Sequence, residues 1–202
     1  MTTIFLTRHG ETKWNTEKRL QGSKDSPLTD KGLNQARCLR DRVKDEKIDI
    51  IYSSPIKRAL DTAKIIAEPN NTPIVTCDEL KEISFGDFEG TAVTELPKIG
   101  ESNLLEELFI GNREVKGING ETILDVEKRV FKVLDDILEK EKGKTIMIVS
   151  HGMALKVIMS YFIEFESEIK GVYGQASLTK IVKEDNKYNI LFKNDRSHTE
   201  II

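Results

Sequence analysis

The sequence predicts an α/β fold, a three-layer sandwich in which helices flank a mainly parallel central sheet. Three observations carry this expectation. Runs apolar at successive positions (Thr3–Leu6, Ile48–Tyr52 and Thr145–Val149) suit strands buried on both faces. Between them, apolar residues recur every three or four positions, the helical period. Strand and helix patterns alternate, as in parallel strands joined by helical crossovers.

Each element has its own local signal. Behind the first strand, Leu33, Ala36, Leu39 and Val43 share a helix face, with Thr29 or Asp30 as N-cap. Ile56, Ala59, Leu60, Ala63 and Ile66 form the next stripe, with Ser54 expected as cap and Pro55 at the first helical position. A strand is expected at Pro73–Thr76. Thr91–Gly120 fits no strand and only loosely a helix (Leu104, Leu105, Leu108), which suggests a lid-like insertion. Thr122–Lys142 is the clearest helix, with Ile123, Val126, Val130, Val133, Leu134, Ile137 and Leu138 in one stripe and Gly143 as its stop. Ala154, Leu155, Ile158, Met159 and Phe162 mark another helix after Gly152. Leu178–Val182 and Tyr188–Phe192 flank Glu184–Lys187 as a C-terminal hairpin. With no repeat or linker, residues 1–202 are expected to form a single domain.

Composition narrows the function. Lys and Arg total 31 against 34 Asp and Glu, a net charge of −3, so no nucleic-acid partner is expected. The mix of 38% apolar and 32% charged residues is that of a globular chain rather than a disordered one. Two cysteines, Cys38 and Cys77, form neither a disulfide scaffold nor a four-ligand zinc site; they are expected as small buried hydrophobes in a reducing compartment. The start MTTIFLTRHG lacks the charged region of a signal peptide, and no window approaches the roughly 20 apolar residues of a membrane span. A cytoplasmic location is therefore expected. Monomer and homodimer are both open.

Ligands of open α/β sheets bind beyond the carboxyl ends of the strands. After the three apolar runs come Thr7-Arg8-His9-Gly10, Ser53-Ser54-Pro55-Ile56-Lys57-Arg58 and Ser150-His151-Gly152. Of three histidines, two directly follow a buried strand and precede a glycine. Adjacent strands would bring them together with Arg8 and Arg58. Two guanidinium groups and two imidazoles at converging strand ends describe a pocket for a dianion, because Arg clasps phosphate oxygens with paired hydrogen bonds. No G-x-S-x-G elbow is present, and Gly143-Lys144-Thr145 precedes a strand rather than following one, unlike a P-loop. What remains is attack by unprotonated His9 on a phosphoryl group, with Arg8, Arg58 and a charged His151 stabilising the transferring oxygens. A leaving alkoxide needs a proton, and the acid is expected among Glu82, Asp87 and Glu89, with Glu82 preferred.

These residues resemble the histidine phosphatase superfamily, in the branch that includes cofactor-dependent phosphoglycerate mutases. The motifs are LTRHGETKWN (Leu6–Asn15), LQGSKDSPLTDKG (Leu20–Gly32), YSSPIKRALDTA (Tyr52–Ala63), KEISFGDFEG (Lys81–Gly90), NGET (Asn119–Thr122) and VSHG (Val149–Gly152). The resemblance implies His9 as the phosphorylated nucleophile; Arg8, Arg58 and His151 as the phosphate pocket; and Glu82 as proton donor. It further implies that Asn15 bonds the phosphate and that Gln21, Gly22 and Gly152 line the pocket, with no metal or organic cofactor. Mutases of this branch carry E-R-H-Y-G at the acid. Here Glu82 is followed by Ile83-Ser84-Phe85-Gly86, a form similar to broad-specificity bacterial phosphatases and α-ribazole phosphatase. The expected activity is hydrolysis of small phosphomonoesters. An α-ribazole-5′-phosphate phosphatase, a phosphoglycerate mutase and a non-catalytic phospho-ligand binder are the alternatives. Phe85 and Phe88 suit either an apolar leaving-group pocket or core packing, and Lys98, Arg113 and Lys116 either a second anion or solvent.

Overall fold

The computed structural model describes residues 1–99, 102–168, 172–185 and 187–199. In chain order its elements are β1 (Thr2–Arg8), the short α1 (Lys13–Thr16), α2 (Asp30–Arg42), β2 (Ile50–Ser53), α3 (Lys57–Ala67) and β3 (Ile74–Thr76). Then come β4 (Lys98–Ile99), β5 (Ser102–Asn103), α4 (Leu104–Ile110), α5 (Ile123–Lys140), β6 (Thr145–Ser150) and α6 (Gly152–Ser160). The last are α7 (Phe165–Glu168), β7 (Leu178–Glu184) and β8 (Lys187–Asp195).

Among the described residues, six strands form one sheet in the order β3-β2-β6-β1-β7-β8. The first four run parallel, while β7 and β8 add an antiparallel edge. Side chains alternate across a strand, so each apolar run feeds two cores. Ile4, Leu6, Tyr52, Ile146 and Ile148 face the layer that contains the α5 stripe, from Ile123 and Val126 to Ile137 and Leu138. Phe5, Ile51, Met147 and Val149 face the other layer, against Leu39 and Val43, and Ala59, Ala63 and Ile66 of α3. Each fully buried aliphatic side chain of this kind contributes about 1.5–3 kcal/mol. The three layers and the C-terminal hairpin are as expected from the sequence, although Asn186 of its turn lies outside the described residues.

Local chemistry sets the helix starts. Thr29 caps α2 by accepting from Gly32 N–H, and Thr122 forms a reciprocal capping box with Asp125 at α5. Ser54 does not cap α3 as expected. That helix begins at Lys57 after Ile56, which makes no side-chain cap, and the Ser54 hydroxyl is engaged with His151 instead. Residues 91–120 also hold more order than anticipated. They include the β4/β5 ribbon and α4, which starts on a capping box between Asn103 and Glu106 and ends on Gly111 in the left-handed region. Cys38 and Cys77 are free and half-buried rather than buried. Among the described residues no helix is long and apolar enough to cross a membrane.

Candidate active site

Parallel pairing of β1 with β6 sets Arg8 opposite Ser150, so the next residues, His9 and His151, emerge side by side. Their ring centroids lie 5.2 Å apart. β2 also pairs with β6, which brings Ser54 and the first turn of α3, with Arg58, to the same end of the sheet. The loop after His9 lies tight on α2: a Cβ on Gly10 would fall 2.4 Å from the Gly32 carbonyl oxygen, and one on Gly32 2.0 Å from that of Glu11. Only glycine permits such backbone approach.

The hydrogen bonds of His9 settle its tautomer. Nδ1 lies 2.7 Å from the Gly10 carbonyl, an acceptor, so it carries the proton. Arg58 Nε donates to Nε2 at 3.3 Å, so Nε2 is unprotonated and its lone pair accepts that bond. Burial, then Arg58 and Arg8, push the pKa of His9 well below the ordinary imidazole value. The ring is therefore a neutral base at neutral pH. Burial is the leading cause, ahead of the two arginines.

The guanidinium groups are themselves fastened. Arg58, 1% exposed, donates to the carbonyls of Gly22 and Lys24, each at 2.7 Å. Arg8 donates to the Tyr173 carbonyl at 2.7 Å. Arg8 Nε and His151 Nδ1 are buried and lack partners among the described residues. Buried donors are rarely left unpaired, and an oxyanion held beside His9 would give both a partner. The charge expected of His151 is corrected. Burial and its cationic neighbours push its pKa well below the usual value, so it is neutral. Ser54 Oγ, which accepts from Ile56 N–H, lies 2.7 Å from His151 Nε2 and can donate its proton there, leaving His151 Nδ1–H as an uncharged donor.

A cavity of about 350 Å³ opens over this cluster and is lined by Arg8, His9, Asn15, Gln21, Gly22, Arg58, Glu82 and Gly152. His151 lies behind His9, outside that lining. Thr12 N–H donates to Asn15 Oδ1 at 3.0 Å, and the one proton of its hydroxyl serves Gln21 Oε1, also at 3.0 Å, so the oxygen of each amide is engaged and the nitrogens are left as donors.

The three carboxylates left open by the sequence have different surroundings. Asp87 is exposed and accepts from Asn119 Nδ2. Glu89 is buried as a staple, accepting from the N–H groups of Ser23, Lys24 and Phe85 and from the Ser23 hydroxyl. Glu82 alone of these lines the cavity. It accepts from Ala154 N–H at 2.9 Å and Met153 N–H at 3.3 Å, capping α6 in place of the His151 side chain. Arg129 of α5 grips the segment that carries it, donating to the carbonyls of Glu79, Lys81 and Glu82 while paired through two bonds with Glu121 of the NGET motif.

Phe85 lines the cavity, whereas Phe88 packs against the core. Lys98 and Lys116 are exposed, and Arg113 pairs with Glu127 over the Phe165 ring; none of the three lines the cavity. The insertion contributes Val93, Leu105 and Phe109 to the lining instead. Sequence reasoning missed Lys156, which is 2% exposed, lines the cavity and sets its Nζ 4.0 Å from the Phe109 ring centroid. Its signal was a single charge within the otherwise apolar run from Met153 to Met159. Among the described residues, no group of three or more His, Cys, Asp or Glu is placed to hold a metal ion.

Known proteins resemble this chain in sequence and in fold. A probable phosphoglycerate mutase GpmB from Yersinia pestis (strain Pestoides F) is 36% identical over 160 residues, covering 79% of this chain and 74% of that one. The structure superposes on Bacillus stearothermophilus YhfR with a TM-score of 0.90 at 33% identity, over 98% of this chain and all of the other. A phosphoserine phosphatase mutant from Entamoeba histolytica in complex with phosphoserine gives 0.84 at 32% identity, over 98% and 99% of the two chains. The alpha-ribazole phosphatase from Shigella flexneri gives 0.85 at 26%, over 96% of each. With residues 4–196 matching the family model, the chain belongs to branch 1 of the histidine phosphatase superfamily and is an enzyme of the histidine phosphatase type.

Proposed function

We propose that the protein hydrolyses small phosphomonoesters through a phosphohistidine formed on His9 Nε2. The observation that carries this reading is the state of His9: a neutral ring, its proton committed to the Gly10 carbonyl, and its unprotonated Nε2 accepting only a long 3.3 Å bond from Arg58, which a phosphoryl oxygen would take over. In the first step Nε2 attacks phosphorus, the N–P bond forms and the ester P–O bond breaks. Glu82 gives its proton to the departing oxygen. In the second, water attacks the phosphohistidine, Glu82 takes the water's proton, and the N–P bond breaks to release inorganic phosphate. Arg8, Arg58, His151 Nδ1–H and the amides of Asn15 and Gln21 hold the equatorial oxygens, where the charge of the transferring group resides.

Hydrolysis is preferred to mutase action because Ile83 and Phe85, just after the acid, are buried apolar residues where the E-R-H-Y-G of mutases has Arg and Tyr. Rapid quenching with ³²P-labelled substrate tests the reading. An acid-labile, alkali-stable adduct is expected in the wild type and none in His9→Ala, with turnover of p-nitrophenyl phosphate persisting in EDTA. Undiminished turnover by the alanine variant sinks the proposal.

A further inference from the structure

We infer that Asn194, near the end of β8, positions the Arg8 guanidinium by fixing the carbonyl that holds it. This deepens the phosphomonoesterase reading and rests on it. Among the described residues, the bond from Arg8 Nη1 to the Tyr173 carbonyl is the only hydrogen bond of the Arg8 side chain. Tyr173 lies between α7 and β7, outside any helix or strand, so no regular ladder sets where its carbonyl points.

Asn194 sets it instead. Its side-chain amide reaches both neighbours of Tyr173: Oδ1 accepts from Gly174 N–H at 3.0 Å, and Nδ2 donates to the Val172 carbonyl at 2.9 Å. One donor and one acceptor on flanking peptides copy the pairing that a strand partner would supply. Asn194 holds a φ of 53°, in the left-handed region that Asn tolerates better than most side chains. A second tie acts on the ring of the same tyrosine. Its hydroxyl donates at 2.6 Å to Glu168, which is 2% exposed and paired with Lys193, the neighbour of Asn194 on β8. Burial, then Glu168, push the Tyr173 pKa up, so the hydroxyl keeps its proton for that bond. Glu168 does not line the cavity, so its buried charge acts on Tyr173 rather than on a ligand. An arginine clasps a phosphoryl group well only when its planar fork is aimed at it, and the end of β8 supplies the aim.

The same segment also reaches the Arg8 and His9 backbone, because Ala176 N–H donates to both carbonyls, so the test must isolate the Arg8 side chain. A double-mutant cycle does this. The kcat/KM for p-nitrophenyl phosphate is measured in the wild type, Asn194→Gly, Arg8→Ala and the double variant. Glycine removes the amide while accepting a positive φ. Should thermal unfolding show that variant to be misfolded, Tyr173→Phe, which cuts only the bond to Glu168, takes its place in the same cycle. Asn194→Gly is expected to lower kcat/KM about tenfold with Arg8 present and less than about twofold in the Arg8→Ala background. Equal losses in both backgrounds, or no loss with Arg8 present, overturn the positioning role. If the wild type releases no nitrophenol, the phosphatase reading fails separately. Calorimetric binding of inorganic phosphate to the same four proteins then decides the role: weakening that requires Arg8 supports it, and weakening independent of Arg8, or none, overturns it.

Discussion

At the phosphate end of the cavity, polar side chains are tied to backbone carbonyls, those of the two arginines from elsewhere in the chain. Arg58 holds the carbonyls of Gly22 and Lys24, Arg8 that of Tyr173, and His9 that of Gly10. At the leaving-group end the contacts are apolar surfaces supplied by residues 91–120 and α6, with Lys156 as their charge. The first end rides on strands whose register is fixed by burial on both faces. The second rides on an insertion whose shape the sheet does not dictate. Chemistry that tolerates little displacement is thus placed on the frame, and selectivity on the attachment.

The largest expected effect is at the framed end. Arg58→Ala should lower kcat/KM by roughly 10²–10³-fold for carboxylated and uncharged phosphomonoesters alike. Steady-state kinetics on both classes checks this, and a loss confined to one class would break the distinction between the ends. Arg129 touches neither end directly and is a positioning residue for Glu82. Arg129→Ala should cost about tenfold in kcat for alkyl phosphates, whose leaving oxygen needs a proton, and much less for p-nitrophenyl phosphate, whose leaving group does not. Equal losses on both would reduce Arg129 to a structural tie.

The two ends also differed in how far the sequence revealed them. Arg8-His9-Gly10 and His151-Gly152 were legible because strands buried on both faces announce themselves, and residues just beyond their carboxyl ends are thereby placed. Glu82 could not be separated from Glu89 by local sequence, since its distinguishing contact is the start of α6, some 70 residues further on. Ser54 was misassigned for the same reason: a cap is judged from neighbours, whereas His151, which claims the hydroxyl, is distant in sequence. α4 did carry a local sign, the Asn103–Glu106 capping box, but its two short turns gave too little periodicity to weigh. Lys156 was hidden by its setting, a helix whose apolar residues made the lysine look incidental.

The sheet order has one more consequence, for the time at which the enzyme comes to exist. β1, made first, lies between β6 and β7, so its backbone has no ladder partner until residues 145–184 have left the ribosome. His9, the proposed nucleophile, directly follows β1, yet the carbonyl that holds Arg8 beside it belongs to Tyr173. A nascent chain therefore carries its reactive imidazole for most of synthesis without the cradle that would arm it. The proposed chemistry can therefore begin only late, with closure of the last-made parts of the sheet.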